Sequence, residues 1–222
     1  FSGLDGAGKS TQMGLLEKYL EDNGQDPVCL WTRVGYTGLF NAVKNGMRRL
    51  GGGAVPPPGR NPSREKSFQK KWVRRTWINL ALLDLIRVYG VHIRFWIFMG
   101  RPVLCDRYLL DSWIDMRLNF PEENVENWRL WRLLVKAIPD PDLSFLMLIP
   151  VEESLRRSEI KKEPFRDDPG SLAMRLSYYK TLSDEHSYHV LDGSRNPDEL
   201  FHEILSRIDV LNSGSMVIPS RR

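Results

Sequence analysis

The sequence predicts an α/β fold, a five-stranded parallel sheet with helices on both faces. Three observations predict it. A glycine-rich turn, Gly3 to Ser10, runs straight into a stripe with apolar residues at 13, 15, 16, 19 and 20, which is helical spacing. Later apolar runs of strand length, at 27–32, 101–105, 141–149 and 189–192, read as strands buried on both faces. Helical stretches separate these runs, and helix alternating with strand implies parallel crossovers.

The turn Gly3-Leu4-Asp5-Gly6-Ala7-Gly8-Lys9-Ser10 fits G-x-x-x-x-G-K-[ST] at every fixed position, with Thr11 following. Its glycines permit backbone angles and close approach that a Cβ would forbid, so several N–H groups can converge on phosphate oxygens. Lys9 supplies a charge for β- and γ-phosphates, and the Ser10 hydroxyl is a hard ligand for Mg²⁺. The helix starting near Lys9 adds its positive dipole end. This is a nucleotide-phosphate site, and the fold it implies is that of the P-loop NTPases.

A chain of 222 residues with 41% hydrophobic and 27% charged residues can bury one full core. The net charge of +4 and pI near 9.1 suit a site for two phosphorylated substrates better than a nucleic-acid surface. Cys29 and Cys105 lie in apolar runs and read as buried thiols of a reducing, cytoplasmic compartment. No stretch approaches the ~18 apolar residues of a membrane span. The first strand reads as truncated, because the chain opens at Phe1-Ser2 where that strand should already be under way.

In order, the first helix runs over 9–23 and stops at Asn23-Gly24. The 27–32 strand delivers Arg33 to the carboxyl edge of the sheet, where ligands of α/β folds bind. Residues 39–50 read as helix and 51–62, rich in Gly and Pro, as a mobile loop. The basic run from Arg64 to Arg75 reads as a solvated helix face, with Trp72 and Trp77 packed inward. A long helix over 77–98 follows, with a possible kink at Gly90 and with Asp84, Arg87 and Arg94 interrupting its apolar pattern. Such charges must be paired or face a polar cleft. The 101–105 strand brings Asp106-Arg107-Tyr108 to the same edge as the glycine-rich turn. Residues 124–137 read as a helix with Trp128 and Trp131 in core or subunit contact. After the 141–149 strand come a helix over 152–160, a lid over about 156–170, a helix over 170–183, the last strand and a helix over 197–211. Residues 1–212 form the domain and 213–222 a tail or linker.

These marks together resemble the thymidylate kinase family of nucleoside monophosphate kinases, nearly end to end. The glycine-rich turn through Gln12, Thr32-Arg33 with Gly35 and Thr37, Cys105-Asp106-Arg107-Tyr108, and Tyr178-Tyr179 through Ser194 carry the resemblance. It implies ATP and Mg²⁺ as cofactors, small nucleotide substrates and a homodimer. Asp5, Gly6, Ala7, Gly8, Lys9, Ser10 and Thr11 would take the triphosphate, Ser10 and Asp106 the metal, and Gly193, Ser194 and Arg195 the adenine. Asp5 would meet the acceptor sugar hydroxyl, and Arg33 and Arg107 the acceptor phosphate. The family needs an arginine over the transferring phosphoryl; the turn offers Gly6-Ala7, so Arg156, Arg157 or Arg166 of the lid must supply it.

One departure is Val34, in place of the glutamate of the family's Thr-Arg-Glu-Pro segment, and the others fall on the base-reading side. The Phe-x-x-x-Arg of the family's long helix is not reproduced, with Leu85 at the arginine position and Arg87 two residues on. The Ser-Ser/Asn and Tyr-Gln after Asp-Arg-Tyr become Asp111-Ser112 and Asp115-Met116. Asp84, Arg87, Asp111, Ser112 and Asp115 are therefore the expected acceptor contacts. Because a site that reads base edges discriminates strongly, they imply an altered partner. The expected reaction is phosphoryl transfer to a nucleoside monophosphate, dTMP by family default. The alternatives are another small acceptor or a non-catalytic ATP-binding module.

Overall fold

A computed structural model describes residues 1–35, 62–161, 167–185 and 188–215. The described strands are all parallel. β1 (Ser2–Gly3), β4 (Phe145–Leu148) and β5 (His189–Asp192) form one ladder in the order β1-β4-β5. β2 (Val28–Trp31) and β3 (Val103–Asp106) form a second, in register Val28↔Val103. The strands thus pair as three plus two, rather than as five continuous neighbours. Phe1 joins the ladders: its backbone nitrogen donates to the Cys105 carbonyl at 2.7 Å, and the Arg107 amide donates to the Phe1 carbonyl at 2.8 Å. β3 and β1 therefore end side by side, which sets Asp106-Arg107 beside the glycine-rich turn.

The helices are α1 (Lys9–Asp22), α2 (Pro62–Gln69), α3 (Lys71–Leu85), α4 (Ile93–Phe98) and α5 (Leu109–Asn119). They continue with α6 (Arg129–Ala137), α7 (Val151–Ile160), α8 (Pro169–Glu185) and α9 (Pro197–Ser215). Each has a local cause. Gly24 at φ 76 ends α1 after Asn23. The Asp111 carboxylate caps α5 by accepting from the Tyr108 amide at 3.1 Å. Asp168 accepts from the amide and hydroxyl of Ser171 at the start of α8, and Asn196 accepts from the Asp198 amide ahead of α9.

Between α3 and α4 the chain widens into a π-helical segment, Ile86–His92, so the long helix begins at Lys71 and is interrupted rather than continuous. The extra residue per turn seats Tyr89 in the interior with no exposure. Gly90 packs so closely that a Cβ there would lie 3.2 Å from that of Ala137.

Two hydrophobic clusters follow the two ladders. Ile78, Leu82, Leu85, Tyr89, Phe120 and Leu134 pack with β2 and β3, whereas Leu4, Ile114, Leu146, Met147, Tyr179 and Ile204 pack around β1, β4 and β5. Each such side chain contributes about 1.5–3 kcal/mol on burial.

Several expectations need correction. Cys29 is exposed, on the outward face of β2, and Cys105 on β3 is half-buried. Trp72 stands 62% exposed near the start of α3, while Trp77 packs inward against Phe68 and Phe120. The helix expected over 124–137 starts at Arg129, after two short 3₁₀ turns. α5 had no predicted counterpart, and α9 runs through 213–215, where a tail was expected. The expected helix over 39–50 and nearly all of the 51–62 loop lie outside the described residues, except Pro62, which opens α2. No described helix is long and apolar enough to cross a membrane.

Candidate active site

The glycine-rich turn connects β1 to α1 with Gly6 at φ 78 and Gly8 at φ 93, angles that favour glycine. Gly3 is fixed by space: a Cβ would meet the Met147 carbonyl oxygen at 2.0 Å. Lys9 is buried beneath the turn and donates from Nζ to the carbonyls of Gly3 at 3.0 Å and Leu4 at 2.7 Å. Burial and then Arg107 pull its ammonium pKa below the ordinary value. On the rim, the Ser10 hydroxyl donates to Asp106 Oδ2 at 3.4 Å. Asp106 is buried, and its Oδ1 has no hydrogen-bond partner. An orphaned carboxylate oxygen next to a hydroxyl fits Mg²⁺, which takes one or two protein oxygens and fills its octahedron with water and phosphate.

One side of the turn opens into a cavity of about 470 Å³ lined by Gly6, Thr11, Arg157, Gly193, Ser194 and Arg195, among others. Gly193 comes within van der Waals reach of the turn, since a Cβ would sit 2.4 Å from the Ala7 carbonyl oxygen. Arg157 binds the two loops together, donating from Nη1 to the carbonyls of Gly6 and Gly193, both at 3.0 Å, and from Nε to Glu153. Arg156 pairs with Glu153 at 2.7 Å on the exposed face of α7, and Arg195 pairs with Glu203 at 2.7 Å. Both arginines are thus held by neighbouring carboxylates. Arg166 lies outside the described residues.

The other side is a buried ionic cluster. Arg107, held at φ 73, ion-pairs with Asp5 and lies 3.6 Å from Asp111. A non-glycine residue in that region is strained, and the surrounding bonds over-determine it. Asp111 accepts from the Ser2 hydroxyl and from Tyr179 OH, each at 2.6 Å. Burial opposes its ionisation, but Arg107, Ser2 and Tyr179 outweigh burial and hold its pKa below the usual carboxylate value. Asp5 is lowered in the same way, with burial overcome by Arg107, Lys9, Arg33 and Arg175. One turn along α5, Asp115 accepts from Arg175 at 2.6 Å, and Arg175 lies 3.5 Å from Asp167. Arg33 lies 3.8 Å from the other oxygen of Asp167. Ser112 shares a 3.3 Å hydrogen bond with Tyr89, and Asp84 accepts from Arg87 at 2.8 Å.

The structure therefore gathers Asp5, Lys9, Ser10, Asp106, Arg107 and Asp111 at one sheet edge, with Arg33 and Asp115 joined to them through Arg175 and Asp167. Arg175 and Ser2 escaped the sequence reading, and Tyr179 entered it only as part of the resemblance, with no site role. Their signal was the matched spacing on two helices, Asp111 and Asp115 on α5 facing Tyr179 and Arg175 on α8, each pair four residues apart.

No protein-family model matches the chain. Among curated proteins it is 28% identical over 217 residues to a thymidylate kinase of Thermosipho melanesiensis, covering 95% of this chain and 96% of that one. It is 30% identical over 158 residues to the thymidylate kinase of Desulfotalea psychrophila, covering 71% and 65% of the two chains. Among solved structures, a deoxyadenosine kinase from M. mycoides with dCMP and a flexible dCDP bound superposes with a TM-score of 0.61 at 12% identity. It covers 94% of this chain and 96% of that one, a likeness of fold. Motifs and relatives agree: the chain is similar to thymidylate kinases over nearly its whole length and is an enzyme of the nucleoside monophosphate kinase class.

Proposed function

We propose that the enzyme transfers the γ-phosphoryl of ATP, with Mg²⁺, to the 5′-phosphate of a nucleoside monophosphate, with dTMP as the default acceptor of its relatives. In this reading the amides of Gly6, Ala7, Gly8 and Thr11 and the Lys9 ammonium hold the triphosphate, and Gly193, Ser194 and Arg195 border the adenine. Ser10 and Asp106 would hold Mg²⁺, which when bound neutralises charge on the β- and γ-oxygens. Asp5 orients the acceptor sugar, and Arg33 and Arg107 receive its phosphate. The reaction needs chiefly alignment and charge neutralisation, which rigid buried groups supply. A guanidinium over the transferring phosphoryl would come from Arg166, since Arg157 is committed to two loop carbonyls and Arg156 to Glu153.

The observation that carries this reading is the Asp5–Arg107 ion pair, which joins the triphosphate turn to the acceptor-side strand end. A second reading, a different small acceptor, is favoured by one feature. Asp111 and Asp115, where relatives read the base, are already hydrogen-bonded to Tyr179 and Arg175. We also propose a homodimer through the face that carries Val91, Phe95 and Phe98, the last 88% exposed.

The test is ADP release from ATP-Mg²⁺ across dTMP, dUMP, the other monophosphates and water, with Lys9→Ala as the blank. The expected result is monophosphate-dependent turnover that Lys9→Ala abolishes. Equal release with water alone would refute acceptor transfer.

A further inference from the structure

Arg175 projects from α8 into the protein with 3% of its surface exposed. Its Nη2 is committed to Asp115 at 2.6 Å. Its Nε and Nη1 are buried without a hydrogen-bond partner, and so is Nη1 of Arg107. Buried guanidinium donors left unfilled are costly, and native proteins rarely keep them without a reason. Here three such donors belong to two arginines of one cluster.

A further carboxylate, Asp167, faces the cluster. Its carboxylate reaches Arg33 at 3.8 Å and Arg175 at 3.5 Å, one oxygen to each. Both distances lie beyond a good charge-assisted hydrogen bond, and Asp167 Oδ2 has no hydrogen-bond partner. A planar carboxylate with two oxygens balances charge here but leaves Nε and Nη1 of Arg175 unfilled. A tetrahedral dianion with three free oxygens satisfies more of them. The contrast with the Arg175–Asp115 contact is sharp, since that bond is short and fixes the side chain in place.

We propose that Arg175 is a second phosphate-binding arginine of the acceptor site, fixed by Asp115, and that the Asp167 carboxylate occupies this subsite until the acceptor's phosphate displaces it. The inference rests on the monophosphate kinase reading for the identity of the ligand. It adds a residue from α8 and a built-in competitor that the phosphate must expel. Asp167 therefore lowers acceptor affinity, and the cost falls on the phosphate-bearing ligand alone.

Binding without ATP separates this proposal from the kinase reading. Calorimetric titration of the full chain with dTMP, thymidine and inorganic phosphate reads the subsite directly, and titration with a non-hydrolysable ATP analogue is the control. Asp167→Asn leaves Arg175 and Asp115 intact and should tighten dTMP and phosphate binding about tenfold, leaving thymidine and the ATP analogue unchanged. Arg175→Lys keeps a charge beside Asp115 and should weaken dTMP about tenfold or more, with its melting temperature checked alongside. Unchanged or weaker dTMP binding in Asp167→Asn overturns the proposal, as does wild-type protein that binds neither dTMP nor phosphate. Monophosphate binding that follows both substitutions, without any phosphoryl transfer, sustains this subsite while refuting the kinase reading.

Discussion

Asp111 illustrates how one side chain can serve fold and site together. It caps α5 through the Tyr108 amide, accepts from Ser2 and Tyr179, and sits opposite Arg107. Replacing it by Asn leaves Arg107 buried with one fewer counter-charge, and such losses cost about 3 kcal/mol or more. The carboxyl titrates below its ordinary 3.8 in the folded protein, so its stabilisation is complete above about pH 4 and is lost as pH falls through the lower folded value. Thermal unfolding should therefore show a flat midpoint from neutral pH down to about 4 and an acid decline below it. Asp111→Asn should lower the neutral midpoint and flatten that decline. A variant with the wild-type acid limb would show that other carboxylates carry it. Residue identity alone announced Lys9, Ser10, Asp106 and Arg107, because each belongs to a motif with fixed spacing. Arg175 belongs to none. Its importance is a matter of what α5 sets opposite it, which no local pattern contains.

At the scale of elements, the strands were legible as apolar runs and most helices as periodic ones. α5 was not: Asp111, Ser112 and Asp115 fall on its buried face, where a hydrophobic stripe would normally reveal a helix. The π-helical turn was equally hidden, since a single extra residue changes register without changing composition. The loop after β5 shows what contact between elements requires. Adding a Cβ at Gly193 would drive it into the Ala7 carbonyl and the Ile149 side chain, so the loop must retreat from the turn. Gly193→Ala should destabilise the protein by about 1–3 kcal/mol and raise the KM for ATP severalfold. Initial-rate kinetics against each substrate checks this, with the KM for the acceptor expected to stay constant.

Over the whole molecule, two hydrophobic clusters lie under two ladders, and the nucleotide edge crosses the seam between them. Any ligand that binds this edge only in the folded state should stabilise both parts at once. At a hundredfold excess over Kd the gain is about 2.7 kcal/mol. For a domain of this size that raises the melting temperature by about 5–10 °C. Scanning calorimetry with ATP-Mg²⁺ should show one transition moving by that amount, and Lys9→Ala should show no movement. Two transitions that separate on adding nucleotide would mean that the ladders unfold independently.

Asp5 belongs to both halves of the site by different atoms. Its carboxylate holds Arg107, while its backbone carbonyl accepts the Ser154 hydroxyl of α7 at 2.6 Å. The turn between β1 and α1 is thus fastened at one residue to Arg107, just after β3, and to α7. A ligand that touches only Arg107 would be felt in the turn's backbone as a change in how often its amides open to solvent. Deuterium uptake at Gly6, Ala7 and Gly8 should then slow when a nucleoside monophosphate binds alone, in amides that this ligand never meets.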